Sequence, residues 1–527
     1  MSEQQSNPSA RMPQGIPFIV VNEFAERFCF YGINAILAVF LVQFMQFGQA
    51  QATTWGSLFK SGAYFFPLLG AIISDVFWAK FRTIIVFSIV YCVGCVVLAM
   101  SRDTHVLAIG LFLVAFGTGG IKPCVATNVG DQFTSANQHL IERAFSWFYL
   151  AINAGSVFSI LLCPLLLNSY GPAAAFGLPA ALMFVAIIVF WSGRHRFAVV
   201  PPAGKVWLHD VFGKEGLATI GRLFVIYLFV AFFWALWDQS NGTTWSLQAR
   251  SSLMDKNIGF GITLLPAQIQ AVNAIFILIL VPVFSYGIYP FWAKFTAVTP
   301  LRKIGLGLFV TAISFLVIAW IESRIQGGHV VSVWWQILAY VIVTCGEVLV
   351  SITALEFSYK QAPLTMKSFI MALFYLSISM GNLLTAGVNH FMVRPVTVSA
   401  VEVGAETWLH LSDVSKFVVG QTIDFDGATG VEALTADGKA EPLAGSYLIS
   451  SIDVAKGRVR LMDAVYRKPI ATRGAFDAAH ASVSTYALVG PAYFMFFAEL
   501  LTVVGVGFIL IARRYRERTY VRAEAVA

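Results

Sequence analysis

The chain has 527 residues, 58% of them hydrophobic and only 12% charged, with a mean hydropathy of +0.74. This is membrane composition and excludes the core of an ordinary soluble protein. The formal charge of +7 calls for no nucleic-acid partner, because the cations gather in one set of loops, where an anionic lipid face accounts for them.

The first sixteen residues are polar, with Arg11 their only cation, and no cleavable signal peptide is apparent. Apolar stretches long enough to span a bilayer then recur. They predict twelve helices at about 17–47, 53–79, 83–101, 105–130, 140–168, 174–194, 219–239, 265–293, 301–322, 331–357, 364–394 and 486–512. One set of connections carries Lys80, Arg82, Arg143, Arg194, Arg196, Lys205, Lys214, Arg222, Lys294, Arg302, Lys303, Lys360 and Lys367. The opposite loops hold little beyond Arg102, Arg250, Lys256 and Arg324. The positive-inside rule therefore places both termini in the cytoplasm, as an even number of spans requires.

Helix one places Glu23, Glu26, Arg27, Phe30, Tyr31 and Asn34 on one face by i, i+3, i+4 spacing. A charge at the centre of a membrane helix costs at least about 2.5–3.5 kcal/mol, so three together need a compensating role. A structural ion pair would serve for two of them. The second acid exceeds what one base can pair, which favours a proton-handling site. Lys60 and Tyr64 share a face of helix two. Helix four holds Gly117-Thr-Gly-Gly-Ile-Lys122-Pro123, which lacks the Gly-Lys-Ser/Thr of a phosphate loop. It reads as small residues allowing close helix contact beside a functional lysine. Asn153, Asp238, Asn273, Glu347 and Glu356 add polar groups to helices five, seven, eight and ten. The six cysteines all fall in apolar stretches. Cys92-x-x-Cys95 has no second ligand pair, so neither a metal site nor a nucleophile with an orienting base is expected.

The short basic link at 196–218 divides the spans into six plus six, a 17–195 bundle and a second bundle of 219–395 with 483–512. Such an arrangement puts a substrate site at the interface near the midplane. Residues 396–482 turn polar, with eight basic and eleven acidic residues. Alternating runs at 417–425, 447–452 and 458–462 predict a small β domain outside the membrane. It shows no catalytic constellation and reads as a cap more readily than as a partner-binding module. A tail at 1–16 and a basic one at 513–527 complete the chain.

These residues resemble the proton-coupled oligopeptide transporters of the major facilitator superfamily. The resemblance rests on Glu23-Phe-Ala-Glu26-Arg27, on Gly119-Gly-Ile-Lys122-Pro, and on Phe148-Tyr-Leu-Ala-Ile-Asn153-Ala-Gly-Ser156. It continues with Phe233-Trp-Ala-Leu-Trp-Asp238, Gly346-Glu-Val-Leu349, Leu355-Glu-Phe-Ser-Tyr359, Gln361-Ala-Pro363 and Met366-Lys-Ser368. It covers all but the termini and the 396–482 insertion. It implies an all-α transmembrane major facilitator fold of two six-helix bundles, working by alternating access as a monomer in the plasma membrane, in a bacterium the inner membrane. The implied activity is uptake of di- and tripeptides, with the proton as coupling ion and no other cofactor. By position, Glu23, Glu26, Arg27 and Asp238 would couple protons. Arg27, Phe30, Tyr31, Asn34, Tyr64, Lys122, Asn153, Trp234, Asn273, Glu347 and Phe374 would line the peptide site. Lys122 and Glu347 look like a pair across the bundles. A peptide carboxylate suits Arg27 and Lys122, and its amino group suits Glu347. Protonation of Glu26 would release Arg27 to the substrate.

Two departures stand out. Asn34 replaces an arginine that commonly pairs with the helix-seven carboxylate, here Asp238, and Ser57 stands where animal members carry a histidine. Lys60, a turn from each of Ser57 and Tyr64, is expected to reach Asp238 and close the extracellular side. The alternative is a lysine snorkelling to the interface. A same-fold symporter of nitrate or an amino acid, or a receptor that does not transport, are the competing functions.

Overall fold

The structure, a computed structural model, describes residues 12–515 apart from 134–136, 138–139, 199–200, 203–208, 210, 362–366, 392, 416, 418, 427–428, 435–439, 464–467, 478–481, 487 and 489. The tail up to residue 11, most of the basic link, Pro363, Met366 and the tail beyond 515 lie outside the described residues.

Among the described residues there are twelve long helices. They are α1 (Ile16–Gln43), α2 (Gln49–Ile72), α3 (Lys80–Ala99), α4 (Thr104–Asp131), α5 (Ile141–Tyr170) and α6 (Pro172–Ser192), then α7 (Lys214–Ser240), α8 (Ala271–Pro282), α9 (Pro300–Gln326), α10 (Val333–Glu347), α11 (Lys367–Phe391) and α12 (Pro491–Ala512). Three continue through π-helical turns: α2 to Phe77, α8 to Ile288 and α10 to Ile352. Eleven of the twelve meet both length and apolarity for crossing a membrane. The exception is α2, whose first half carries Gln51, Thr53, Thr54, Ser57, Lys60 and Ser61. Prolines open α1, α6, α9 and α12 at the first turn, where the missing N–H costs nothing. Asp103 caps α4 by accepting from the His105 and Val106 amides at 2.9 and 3.0 Å.

Each bundle has its own core. Phe28, Phe40, Phe87, Tyr91 and Phe176 fill the first, and Tyr227, Phe233, Trp245, Phe315 and Tyr340 the second. In lipid, helices associate by close packing more than by exclusion of water. The glycines of α4 show how. A Cβ at Gly119 would stand 2.2 Å from Phe66 of α2, and one at Gly120 2.1 Å from the Phe87 ring of α3. The run therefore lets α4 seat between two neighbours and fixes the direction in which Thr118 and Lys122 point.

Between α11 and α12 the chain forms strands. They are β3 (Val393–Glu402), β4 (Trp408–Leu411), β5 (Thr422–Asp426), β6 (Thr429–Leu434), β7 (Ala440–Pro442), β8 (Gly445–Asp453), β9 (Arg458–Asp463), β10 (Ala471–Asp477) and β11 (Ser482–Tyr486). The two-residue β1 (Met254–Asp255) and β2 (Val331–Ser332) pair in parallel between loops of the second bundle. Six strands close a barrel in the order β11-β3-β4-β9-β8-β5, and β10-β6-β7 form a side sheet. Alternate residues Val396 and Val398, Leu409 and Leu411, Ile423 and Phe425, and Val459 and Leu461 point into the barrel. Of the run expected at 417–425, Phe417, Val419, Gly420 and Gln421 precede β5 and are not strand. The barrel marks one end of the molecule, called here the barrel end.

Candidate functional site

The acidic face of α1 meets α4 inside the first bundle. Arg27 Nε donates to Glu23 Oε1 at 2.6 Å and stands 3.4 Å from Glu26 Oε2. Glu23 is 1% exposed and Glu26 fully buried. Arg27 thus contacts both acids and stands closer to Glu23 than to Glu26. The other Glu26 oxygen, Oε1, accepts from the Thr118 hydroxyl of α4. A hydroxyl can donate to a carboxylate or accept from a carboxylic acid, so Thr118 serves Glu26 in either protonation state.

Lys122 lies one turn beyond Thr118. Its Nζ sits 3.5 Å from the centroid of the Phe30 ring and 4.5 Å from that of Tyr64. The ammonium is buried without a hydrogen-bond acceptor. A desolvated cation–π contact contributes on the order of 2 kcal/mol, less than burying an ammonium without an anion costs. The lysine also balances the charge of the cluster: two acids, two bases. It is a buried cation with no hydrogen-bonded anion of its own.

The second bundle offers the opposite sign. Asn273 of α8 donates to Glu347 Oε2 of α10 at 2.8 Å and to the Thr344 hydroxyl at 3.0 Å. The expected Lys122–Glu347 pair does not form. Glu347 is held by its own bundle, and Lys122 is turned under the rings of Phe30 and Tyr64, so an anion and a cation face the interface separately. Aromatic rings connect the two sides. Phe30 packs edge-on to Tyr64 at 6.0 Å, and Tyr64 meets Tyr375 of α11 at 6.2 Å. Tyr375 adjoins Phe374, which meets Trp234 of α7 at 6.1 Å. Tyr31 follows Phe30 at 5.5 Å. Asn153 is half-buried on α5.

Nearer the barrel end the bundles touch through polar groups. Lys60 Nζ of α2 lies 2.7 Å from Asp238 Oδ1 of α7, with both side chains under 5% exposed. It also donates to the Asn241 and Asp238 carbonyls at 2.7 and 3.2 Å, which places a cation at the carboxyl end of α7, where the helix dipole favours one. Asn34 Nδ2 donates to the same Asn241 carbonyl at 3.1 Å. Asn34 is therefore engaged in this seam, 5% exposed, instead of lining a binding surface. A Cβ at Gly242 would stand 2.3 Å from the Asn34 carbonyl. Ser61 and Ser379 hydroxyls meet at 2.8 Å between α2 and α11.

The POT family model matches residues 81–214 and 209–409. The chain belongs to the POT family. Among curated relatives it is 37% identical over 352 residues to a solute carrier family 15 member 2 of Danio rerio, covering 58% of this chain and 48% of that one. It is 34% identical over 372 residues to a peptide transporter family 1 protein of Drosophila melanogaster, covering 62% and 50%. The chain spans about half the length of the curated relatives it matches. Of solved structures, an auto-inhibited POT family peptide transporter shares 28% identity, covering 97% of this chain and 99% of that one, with a TM-score of 0.72. A proton-dependent oligopeptide family transporter shares 37% identity over 71% and 91%, with a TM-score of 0.61.

In this POT-family chain several groups in contact with the site carried no strong signal in the sequence. Thr118 sits in a run read for its small size, though its i, i+4 offset from Lys122 could have marked it. Asn241 acts through its backbone carbonyl, which side-chain identity cannot announce. Thr344 and Tyr375 are ordinary residues of apolar helices until the fold turns them inward.

Proposed function

We propose that the chain is a proton-coupled symporter that imports di- and tripeptides by alternating access, with both termini in the cytoplasm. The observation that carries this reading is the buried Lys122 ammonium, without an acceptor, beside the Glu23–Arg27–Glu26–Thr118 cluster. A peptide carboxylate supplies the missing acceptor. Its amino group is matched by Glu347 across the aromatic string, a separation of charge that suits a short zwitterion better than an inorganic anion. Proton arrival at Glu26 or Glu23 lowers the hold on Arg27 and frees a second donor for the carboxylate, so proton and peptide binding favour one another. The Lys60–Asp238 seam is the proposed closure at the barrel end.

Uptake into proteoliposomes under an imposed proton gradient tests this, with dialanine, trialanine, alanine and nitrate as competitors. Peptides should accumulate and compete, while alanine and nitrate should not. Accumulation indifferent to the gradient would reject symport, and competition by nitrate alone would reject the peptide. Glu26→Gln should abolish gradient-driven accumulation while sparing passive exchange; concentrative uptake by that variant would contradict its role.

A further inference from the structure

The barrel hangs from the second bundle. β3 begins two residues after α11 ends, and β11 leads to Gly490 and α12. Gln326, at the end of α9 in the same bundle, supports it from below: its side chain lies against Gly490, and its carbonyl is 3.2 Å from where a Cβ of Gly420 would stand. Across the interface the barrel also reaches the first bundle, at the turn between α1 and α2. Gly48 of that turn is buried against Asp424 of β5. A Cβ there would lie 2.1 Å from the carboxylate carbon and 2.7 Å from the Asp424 Cβ, so no larger residue fits while the aspartate side chain is in place. Gln46 of the same turn faces Gly445 at the start of β8, 3.3 Å from where a Cβ would stand.

The contact is also polar in a directed way. α2 begins at Gly48 with no side-chain cap and no acid in its first turn. The barrel brings Asp424 to that end, its Oδ1 accepting from Ser446 at 2.6 Å. A carboxylate there faces the positive end of the helix dipole, a favourable placement that α2 lacks in its own sequence. The helix so gripped is the one that carries Lys60 and Ser61, both engaged with the second bundle.

We propose that the barrel is a latch. Fixed to the second bundle, it holds the α1–α2 turn of the first, and it must release Gly48 from Asp424 before the barrel end can open. The inference rests on the alternating-access reading, since only a molecule whose bundles separate at that end needs a latch.

A disulfide between Gly48→Cys and Asp424→Cys tests it. The two Cβ positions, 2.7 Å apart, fall within about 1 Å of disulfide separation. The control joins Gly420→Cys to Gln326→Cys, 4.0 Å apart, which ties the barrel to its own bundle. Oxidation of the first pair should stop gradient-driven uptake, reduction should restore it, and the control should transport when oxidised. Full uptake with the 48–424 bond formed would overturn the latch. A second readout does not depend on transport. Ketone-linked spin labels at Tyr170 and Val330, exposed at the barrel end on opposite bundles, should show a long-distance population that the 48–424 bond removes. Identical distance distributions with and without the bond would overturn the latch even if the parent protein takes up no peptide. Absent uptake by the uncrosslinked parent would instead count against the transport reading.

Discussion

Lys60 shows how one side chain can combine two kinds of interaction. It neutralises Asp238 and also satisfies the carbonyls that end α7. Removing one member of a buried pair costs about 3–5 kcal/mol, mostly because the other charge is stranded. Lys60→Met and Asp238→Asn should each lower the melting temperature in detergent, and the double variant should lose less than the sum. A coupling of about 1–3 kcal/mol is expected from such a cycle; additivity would show that the two act apart. Exchanging the two charges should restore little, because an aspartate at 60 would face the carbonyl end of α7. At Thr118 the test is the hydroxyl itself. Thr118→Ser should keep the parent's pH profile of uptake, whereas Thr118→Val, of the same shape, should shift it; matching profiles would make the contact with Glu26 a packing feature alone. The stripe on α1 was legible because 3.6-residue periodicity fixes a face without further knowledge. The distribution of Arg27 between its two acids was not, since it depends on Thr118 arriving from another helix.

Individual elements divide into those that periodicity describes and those that need partners. The apolar helices are legible from composition, and their ends follow from proline and caps. The seat of α4 is a matter of ångströms. Gly119→Ala should lower thermal stability by about 1–3 kcal/mol through overpacking against Phe66, while Gly130→Ala, with open space around it, should change little. Equal melting temperatures would mean that α4 shifts freely. The strands of the barrel show alternation, but their pairing does not appear in any window of sequence: β3 meets β11 across the whole insertion. On the barrel surface, hydrogen bonds from His410 and Arg458 hold the Glu402 carboxyl below its ordinary range. The Lys456 amide, then Arg458, does the same for Asp453. A depressed pKa contributes stability at neutral pH that is lost as pH falls through the lowered value. Protection of the amides of β3, β8 and β9, taken relative to the intrinsic exchange rate at each pH, should therefore fall below about pH 4, modestly, since these pairs are exposed to solvent. Protection that rose with acid would contradict the sign.

At the scale of the molecule, the two bundles present opposite charges to a shared aromatic wall and touch through a polar seam displaced toward the barrel. Which pairs cross the interface is a property of the conformation, and this is why Lys122 and Glu347, matched by sign, could not be joined or separated from sequence. The pairing of β3 with β11 has a further consequence for how the chain is assembled. Val393 lies opposite Tyr486, so the exit from α11 and the approach to α12 are side by side. A loop of this length, if flexible, would carry the closure entropy of its whole span. Folded as a barrel, the insertion instead holds its two ends together, so that α12 starts where α11 ends and runs back beside α9.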